Sequence, residues 1–334
     1  MRNLVGVLLA AIVTVAAVGA QSFPDTVEGH VAAATAAAGA EYSGIVARIC
    51  TSPAPPAPRN TTAAAPRPAG APARETWYAK PVKVFDNLYF VGQTEYSAWA
   101  VTTSDGIIII DPIFDYSVEE EVVNGLKTLG LDPNAIKYVL ISHAHSDHVG
   151  GASFLQDRYK AKVIMSDADW TLLDNTRATW RKPKKELVAT DGQKLTLGDT
   201  SLTLYITPGH TLGTISTLIP VRDGNVKHVA AYWGGTAFNW VTNRAAYITP
   251  ERTDSFWFNR YIESAQRFRT LAKAAGADVI VSNHTNFDGS KTKLPAMATR
   301  RPGDPHPYVV GADSVSRYLT VAEECAKAGL LRTK

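Results

Sequence analysis

Three histidines and one aspartate fall within six positions of the chain, at His143, His145, Asp147 and His148. Side chains two residues apart on an extended backbone point the same way, so His143 and His145 can share one metal ion. Asp147 and His148 follow as the chain turns, and they reach a second point close to the first. Imidazole and carboxylate groups are good zinc ligands. The spacing therefore predicts a metal centre rather than a polar loop with scattered histidines.

The elements that flank these ligands agree with such a site. Residues 136–141 form an apolar run that is typical of a buried strand. Gly150 and Gly151 predict a sharp turn into a helix that continues through Phe154 and Leu155. The ligands therefore follow the carboxyl end of a strand, which is where open α/β sheets place their ligands.

Two further histidines follow strands in the same way. His210 comes after the apolar residues 204–206, in a loop that contains proline and glycine, and His284 comes just after 279–281. Together with the first cluster, they complete two sets of three ligands. Three histidines have no such setting and are not assigned to metal: His30, His228 and His306.

Length and composition limit the possible classes of protein. A chain of 334 residues holds one large domain or two smaller ones, and a hydrophobic content of 45% is that of an ordinary globular protein. The net charge of +3, with no basic stripe among aromatic residues, argues against nucleic acid as a partner. We expect a small-molecule substrate, and the sequence does not predict the oligomeric state.

The amino terminus has the pattern of a signal peptide. A short basic start is followed by the uncharged apolar run 4–18 and by small residues, so residues 1–20 are predicted to be removed and Gln21 to begin the mature chain. An uncleaved anchor is the alternative. No later stretch is apolar enough to predict a membrane span in the mature chain. The predicted location is therefore secreted or periplasmic.

Residues 21–75 differ in composition from the catalytic domain, which is predicted at 76–334. Residues 31–40 are rich in alanine and predict a short helix, and 53–74 form a Pro/Ala tract typical of a linker. Cys50 and Cys325 are the only cysteines. In an exported chain, two cysteines more often form a disulfide than remain free thiols, although two unpaired cysteines are the alternative.

The order of predicted elements indicates an α/β fold with two sheets and outer helices, a four-layer αββα sandwich. The pattern predicts hairpins over 82–91, 99–110, 194–206 and 214–232, strands over 162–165 and 279–281, and helices over 117–129, 167–173, 253–275 and 313–328. Ser117 is the predicted cap of its helix. In the long helix, the predicted inward residues are Phe256, Ile262, Phe268 and Leu271.

Three motifs resemble those of the metallo-β-lactamase superfamily, most closely its subclass-three enzymes, over about residues 77–334. They are His143-Ala-His145-Ser-Asp147-His148, Pro208-Gly209-His210-Thr211 and Asn283-His284. The resemblance implies two Zn²⁺ ions per chain. It assigns one zinc to His143, His145 and His210, and the other to Asp147, His148 and His284. Gly235 stands where glyoxalase II-like and lactone-hydrolysing members carry an aspartate that bridges both metals, and the β-lactamase subclass also lacks that aspartate.

The same resemblance implies an activity. A metal-bound hydroxide opens the β-lactam ring of an antibiotic without an acyl-enzyme, and Asp147 orients that hydroxide. The alternatives are a hydrolase of the same fold that acts on a lactone, a thioester or another ester, and a non-catalytic metal- or partner-binding protein. A short Ser-x-x-Lys match at Ser290 and Lys293 lies in a predicted polar loop, and we interpret it as chance.

Substrate contacts are predicted at the segment around Gly235. Subclass-three enzymes often hold the drug carboxylate there with serines, whereas this chain has Gly234 and Thr236. We therefore expect weak substrate binding, with Thr236 as the remaining donor, and a tighter KM when Gly234 is replaced by serine. Four aromatic residues are candidates to line the cleft, with a core position as the alternative: Tyr96, Trp99, Phe238 and Trp240.

Overall fold

The computed structural model describes residues 22–50 and 70–334. The predicted signal peptide at 1–20 and most of the Pro/Ala tract lie outside these described residues. Within them, two β-sheets pack face to face, and helices cover the outer face of each sheet. The predicted four-layer αββα sandwich is confirmed.

The first sheet has seven strands in the order β1 to β7. Strands β1 to β4 are antiparallel neighbours, whereas β4 to β7 run parallel to one another. Parallel strands have their carboxyl ends at the same edge of a sheet, so residues that follow β4, β5 and β6 come together there. The strands are β1 (Val82–Phe85), β2 (Leu88–Phe90), β3 (Trp99–Thr103), β4 (Gly106–Ile110), β5 (Ile136–Leu140), β6 (Lys162–Ser166) and β7 (Leu187–Ala189).

The second sheet has five strands in the order β12-β11-β10-β9-β8. Neighbours from β8 to β11 are antiparallel, and β12 joins β11 in parallel. The strands are β8 (Gln193–Leu197), β9 (Thr200–Ile206), β10 (Ile215–Asp223), β11 (Val226–Trp233) and β12 (Val279–Ser282).

Strand β4 contributes side chains to two hydrophobic cores, one on each face of the first sheet. Successive side chains on a strand point to opposite faces. Ile108 and Ile110 pack between the two sheets, and Ile107 and Ile109 pack beneath the helices on the other side. A strand buried on both faces requires an uninterrupted apolar run, which is what this segment has.

Helices on the outer faces complete the sandwich. None of those within the described residues is both long enough and apolar enough to cross a membrane. The helices are α1 (Val27–Ala38), α2 (Ser43–Ile45), α3 (Asn124–Thr128), α4 (Ser146–Val149), α5 (Ala152–Tyr159), α6 (Asp167–Asn175), α7 (Asn239–Thr242), α8 (Arg244–Tyr247), α9 (Asp254–Ala274), α10 (Ser290–Thr299) and α11 (Ala312–Leu331).

The segment predicted as a helix over 117–129 departs from that prediction. Residues Glu119–Val123 form a π-helix that leads into α3, and the Ser117 hydroxyl bonds the carbonyl of Phe114 rather than capping the helix. The wider turn brings Glu121 into the interior, where its carboxylate accepts a hydrogen bond from the backbone N–H of Ala79. The three acidic residues that start this helix therefore do not all face solvent.

Packing tests two other predictions. In α9, Phe268 is fully buried and Phe256 and Ile262 are partly buried against the same core, as predicted, although the inner face is centred on Trp257, Tyr261 and Ala265. Ser290 and Lys293, predicted to lie in a polar loop, lie in α10 instead. Ser290 is completely buried there, and its hydroxyl pairs with that of Tyr308.

The N-terminal arm, defined here as residues 22–50, is part of the packed structure. Ala34, Tyr42 and Ile45 are buried in the same core as α9 and α11. Cys50 and Cys325 form a disulfide across 275 positions of sequence, as predicted. The part of the predicted arm that the structure describes is therefore fixed to the domain rather than separate from it.

Candidate metal centre

All six predicted ligands lie at one end of the two facing sheets, on segments that follow strands. The first four lie just after β5 and on α4, a fifth lies after β9, and the sixth directly follows β12. Gly150 and Gly151, predicted to make a sharp turn, have ordinary right-handed helical backbone angles instead. Glycine is needed for space, because a Cβ at Gly151 would lie 2.3 Å from the carbonyl oxygen of Pro112.

The first triad consists of His143, His145 and His210. Nε2 of His210 lies 3.1 Å from Nε2 of His143 and 3.1 Å from Nδ1 of His145. Nitrogens at about 2.0–2.1 Å from a tetrahedral zinc are about 3.3 Å apart, so this spacing is close to that of three ligands on one ion.

The other ring nitrogen of each histidine in this triad has its own partner. Nδ1 of His143 donates to the carbonyl of Gly234 at 2.9 Å, and Nδ1 of His210 donates to that of Ala237 at 2.6 Å. Nε2 of His145 lies 2.7 Å from the hydroxyl of Tyr247. Such hydrogen bonds fix the tautomer, so a lone pair on each remaining nitrogen faces the centre of the triad.

The second triad consists of Asp147, His148 and His284. Oδ2 of Asp147 lies 3.2 Å from Nε2 of His148 and 3.6 Å from Nε2 of His284. One carboxylate and two imidazoles give a donor set that divalent transition metals bind well.

The buried atoms of these residues fit a pair of cations. Within residues 22–50 and 70–334, neither ring nitrogen of His148 has a hydrogen-bond partner of normal geometry, although the side chain is completely buried. Burial alone lowers the pKa of His148, but Asp147 and Asp111 outweigh it and raise the pKa to about 10. A cation at Nε2 would satisfy that atom and displace its proton, because only unprotonated imidazole coordinates a metal.

The first triad is kept neutral by burial. Removal from water lowers the pKa of His145 to about 4 and holds the pKa values of His143 and His210 well below the usual range. These three imidazoles therefore carry free lone pairs at neutral pH and need not lose protons before they bind a cation.

Comparison with known proteins agrees with this geometry. The profile of the family described as the metallo-beta-lactamase superfamily matches residues 91–223. A solved structure of BJP-1, a subclass B3 metallo-beta-lactamase of Bradyrhizobium japonicum, superimposes with a TM-score of 0.61 and 24% identity, over 73% of this chain and 91% of that one. Residues 91–223 therefore match the metallo-β-lactamase superfamily. The fold of the chain is like that of the subclass B3 enzymes.

Curated relatives carry a different name from this solved structure. A hydroxyacylglutathione hydrolase of Xanthomonas axonopodis pv. citri is 32% identical over 129 residues, which is 38% of this chain and 43% of that protein. Another, from Neisseria meningitidis serogroup A, is 27% identical over 223 residues, 66% of this chain and 76% of that protein. The chain spans about half the length of the first two curated relatives that it matches.

Asp111 supports the second triad of this metallo-β-lactamase-fold protein. From the sequence alone, this residue was interpreted only as the end of a strand. Its carboxylate accepts hydrogen bonds from the backbone N–H of Ser142 at 2.7 Å and from the hydroxyls of Ser142 and Tyr232 at 2.6 Å each. Oδ2 also lies 3.1 Å from Nδ1 of His148. The position could be found from topology, because β4 and β5 are parallel and end side by side.

Asp169 ties together two of the loops that carry ligands. Its buried carboxylate accepts hydrogen bonds from the N–H of Ala144 at 2.8 Å, the hydroxyl of Thr211 at 2.9 Å and the N–H of Gly213 at 2.9 Å. Ala144 lies between two ligands of the first triad, and Thr211 follows the third. Nothing in the sequence marks this aspartate, which lies in a helix after β6.

An open cleft of about 690 Å³ exposes both triads to solvent. Tyr96 lines this cleft, as predicted. Trp99 and Trp240 are completely buried in the core, so their prediction as cleft residues is wrong. Phe238 packs into the same core as Trp240 and lines a neighbouring cavity instead. Asn239 was missed, and its side-chain amide lies 3.4 Å from Nε2 of His210.

The predicted substrate contacts at Gly234 and Thr236 lie beneath the site. Thr236 is 1% exposed, and its hydroxyl lies 3.4 Å from that of Tyr318. The Gly234 carbonyl accepts hydrogen bonds from His143 and Asn283, and an added Cβ would lie 2.0 Å from the carbonyl oxygen of Ile215. This placement contradicts their interpretation as substrate contacts. Serine at position 234 would clash with the carbonyl of Ile215 rather than reach a substrate, so Gly234→Ser is not expected to lower KM.

Proposed function

We propose that this protein is a zinc-dependent hydrolase that opens the β-lactam ring of antibiotics without an acyl-enzyme. The observation that carries the proposal is the pair of complete ligand triads that share one open cleft. His143, His145 and His210 would hold one Zn²⁺, and Asp147, His148 and His284 the other. Bound zinc supplies hydroxide at neutral pH, because it lowers the pKa of water from 15.7 towards about 7.

The protein's own residues orient the reactants. Oδ2 of Asp147 faces the two imidazoles of its triad, which leaves the other carboxylate oxygen to accept a hydrogen bond from the attacking nucleophile. Asn239 lies over the first triad, and its amide is available to donate to a substrate oxygen.

Gly235 favours a β-lactam over a thioester. In the resemblance, thioester- and lactone-hydrolysing members carry a metal-bridging aspartate at this position. Here a Cβ at Gly235 would lie 2.5 Å from Cβ of His210, so an aspartate would displace a ligand of the first triad. The local packing is therefore built around the absence of that carboxylate.

The second candidate is a thioester hydrolase. It is favoured by the curated relatives, which are hydroxyacylglutathione hydrolases, although the identities are low.

We propose that the chain is exported to the periplasm or secreted, which the Cys50–Cys325 disulfide supports because such bonds persist in oxidising compartments.

A direct competition between substrates tests the proposal. Zinc-replete protein is assayed with a chromogenic cephalosporin, a carbapenem and a hydroxyacylglutathione thioester, each with and without chelator. We expect chelator-sensitive ring opening with a kcat/KM at least tenfold above that for the thioester. A thioester that is turned over faster than both β-lactams would replace the first candidate with the second.

A further inference from the structure

The N-terminal arm supplies one wall of the cleft that holds the two triads. Gly44, Ala47 and Arg48 line this cleft together with ligands from both triads. Gly44 approaches the loop that follows the last ligand, because a Cβ there would lie 3.1 Å from the carbonyl oxygen of Asn286. Arg48 also lines a second cavity of about 510 Å³ that adjoins the first at Ala237 and Asn239. Arg48 thus lies where the two cavities meet.

The arm is fixed on both sides of Arg48. Before it, the Tyr42 hydroxyl lies 2.6 Å from that of Ser314, and Arg317 donates to the carbonyl of Ala37 at 2.9 Å. After it, Cys50 is bonded to Cys325, and its carbonyl accepts a hydrogen bond from Arg332 at 3.0 Å. The backbone that carries Arg48 is therefore held by α11, which lowers the entropy cost of ordering the side chain when a ligand binds.

Arg48 differs from Glu95, a charged residue that lines the opposite side of the cleft. Among the described residues, no hydrogen bond or ion pair engages its exposed guanidinium, whereas Glu95 across the cleft is paired with Lys291 and Asn286. Arg48 lines the same cleft as the ligands His145, Asp147, His210 and His284. An unpaired guanidinium on a held backbone beside the two triads is a site for an anion, because its planar fork matches a carboxylate.

We propose that Arg48 binds the carboxylate of the substrate while the metal centre acts on the scissile bond. The inference rests on the proposed function, and it replaces the contacts predicted at Gly234 and Thr236. It also assigns a role to the disulfide, which keeps a residue from the amino-terminal arm at the reaction site.

The test uses ligand binding, so it does not depend on which substrate the protein hydrolyses. The probes are short ω-thiol carboxylates, from mercaptoacetate to 4-mercaptobutyrate, each paired with its neutral amide. The thiol anchors every probe to zinc, and only the acid offers an anion. Dissociation constants are measured by calorimetry on the zinc-loaded protein.

In Arg48→Ala we expect affinity for the best-fitting acid to fall roughly tenfold to a hundredfold, the range for a hydrogen-bonded charged group. Affinity for its amide should change less than about twofold. Arg48→Lys should recover part of the loss, because the charge remains without the fork. An unchanged acid affinity, or an equal loss for acid and amide, overturns the proposal.

Two further variants distinguish direct contact between Arg48 and the probe from a long-range electrostatic effect of its charge. Arg244 lines the adjoining cavity but is paired with Asp254 at 2.6 Å, so Arg244→Ala removes a guanidinium that is already engaged and not free to bind the probe. It should leave the acid-to-amide ratio unchanged, and a loss equal to that of Arg48→Ala would contradict the assignment. The double variant Cys50→Ser/Cys325→Ser should reduce the ratio while Arg48 is still present. If β-lactams prove not to be substrates, the acid-specific loss at Arg48 still decides this inference.

Discussion

Oδ2 of Asp111 lies 3.1 Å from Nδ1 of His148, and both side chains are completely buried. The same carboxylate accepts three hydrogen bonds from Ser142 and Tyr232, so it has little freedom to move. Asp111 is therefore a positioning residue for the second triad. It sets the orientation of the His148 ring, so that Nδ1 faces Asp111 and Nε2 faces Asp147.

Replacing Asp111 by asparagine should weaken the second metal site. The backbone at Asp111 has a φ of 54°, which asparagine tolerates, so the fold should survive. Loss of the carboxylate should reduce zinc affinity at one of the two sites about tenfold to a hundredfold. Competition with a chromogenic chelator measures this, with exposed Asp115→Asn as the control. Two unaltered affinities would show that Asp111 does not act through His148.

The two triads should be separable by mutation. His210→Ala removes a ligand from the first triad and His284→Ala one from the second, and neither should unfold the domain because both residues lie on loops. Each variant should retain about one zinc per chain by elemental analysis and lose most of its activity. The control His228→Ala alters a histidine paired with Asp278, outside both triads. A variant with full metal content and activity would remove that residue from the ligand set.

Glycine at position 235 should be necessary for the first triad. In Gly235→Ala the new methyl group would lie 2.5 Å from Cβ of His210, so that ligand or the backbone must shift. We expect weaker zinc binding at one site and at least a tenfold loss of kcat/KM. Gly125→Ala is the matched control, because its nearest contact would be an ordinary 3.4 Å. Wild-type activity in Gly235→Ala would show that this packing is not required.

Glu121 should make stability depend on pH. Burial raises its pKa from 4.5 to about 8, so between these values the folded state binds more protons than the unfolded state. The penalty is absent below about pH 4.5 and complete above about pH 8, so this residue lowers stability as pH rises. Glu121→Gln should reduce this loss of unfolding free energy by on the order of 3 kcal/mol. Chemical denaturation of zinc-saturated protein at pH 5 and pH 8 measures it, with exposed Glu119→Gln as the control. Equal slopes in wild type and Glu121→Gln would contradict the assignment.

The sequence predicted the fold and the residues that the structure brings together as two candidate triads, because both depend on local patterns. Apolar runs that end in histidines predict strands followed by ligands, and the runs at β5, β9 and β12 were all found. The disulfide followed from there being only two cysteines in a chain predicted to be exported. In each case the signal lies within a few residues or in a simple count.

Contacts between distant segments were not predictable in the same way. Asp111 and Asp169 act on loops that lie 31 and 25 or more positions away along the chain, and they look like ordinary strand-end and helix residues. Gly234 and Thr236 were misplaced because the direction of a side chain after a strand depends on how β10 and β11 pair. Residues 21–75 were predicted to be an arm and linker because their composition is rich in alanine and proline. In the described arm, the alanines of α1 pack against α11 because small side chains permit close approach of two helices.

The proposed dizinc hydrolase needs two zinc ions per chain for its activity. Metal-free protein is titrated with zinc while hydrolysis of a chromogenic cephalosporin is followed by absorbance. The two triads predict that activity rises and saturates at about two equivalents of zinc per chain, and that a chelator reverses it. Full activity at one equivalent, or no cephalosporin hydrolysis at two, would contradict the proposed dizinc β-lactamase.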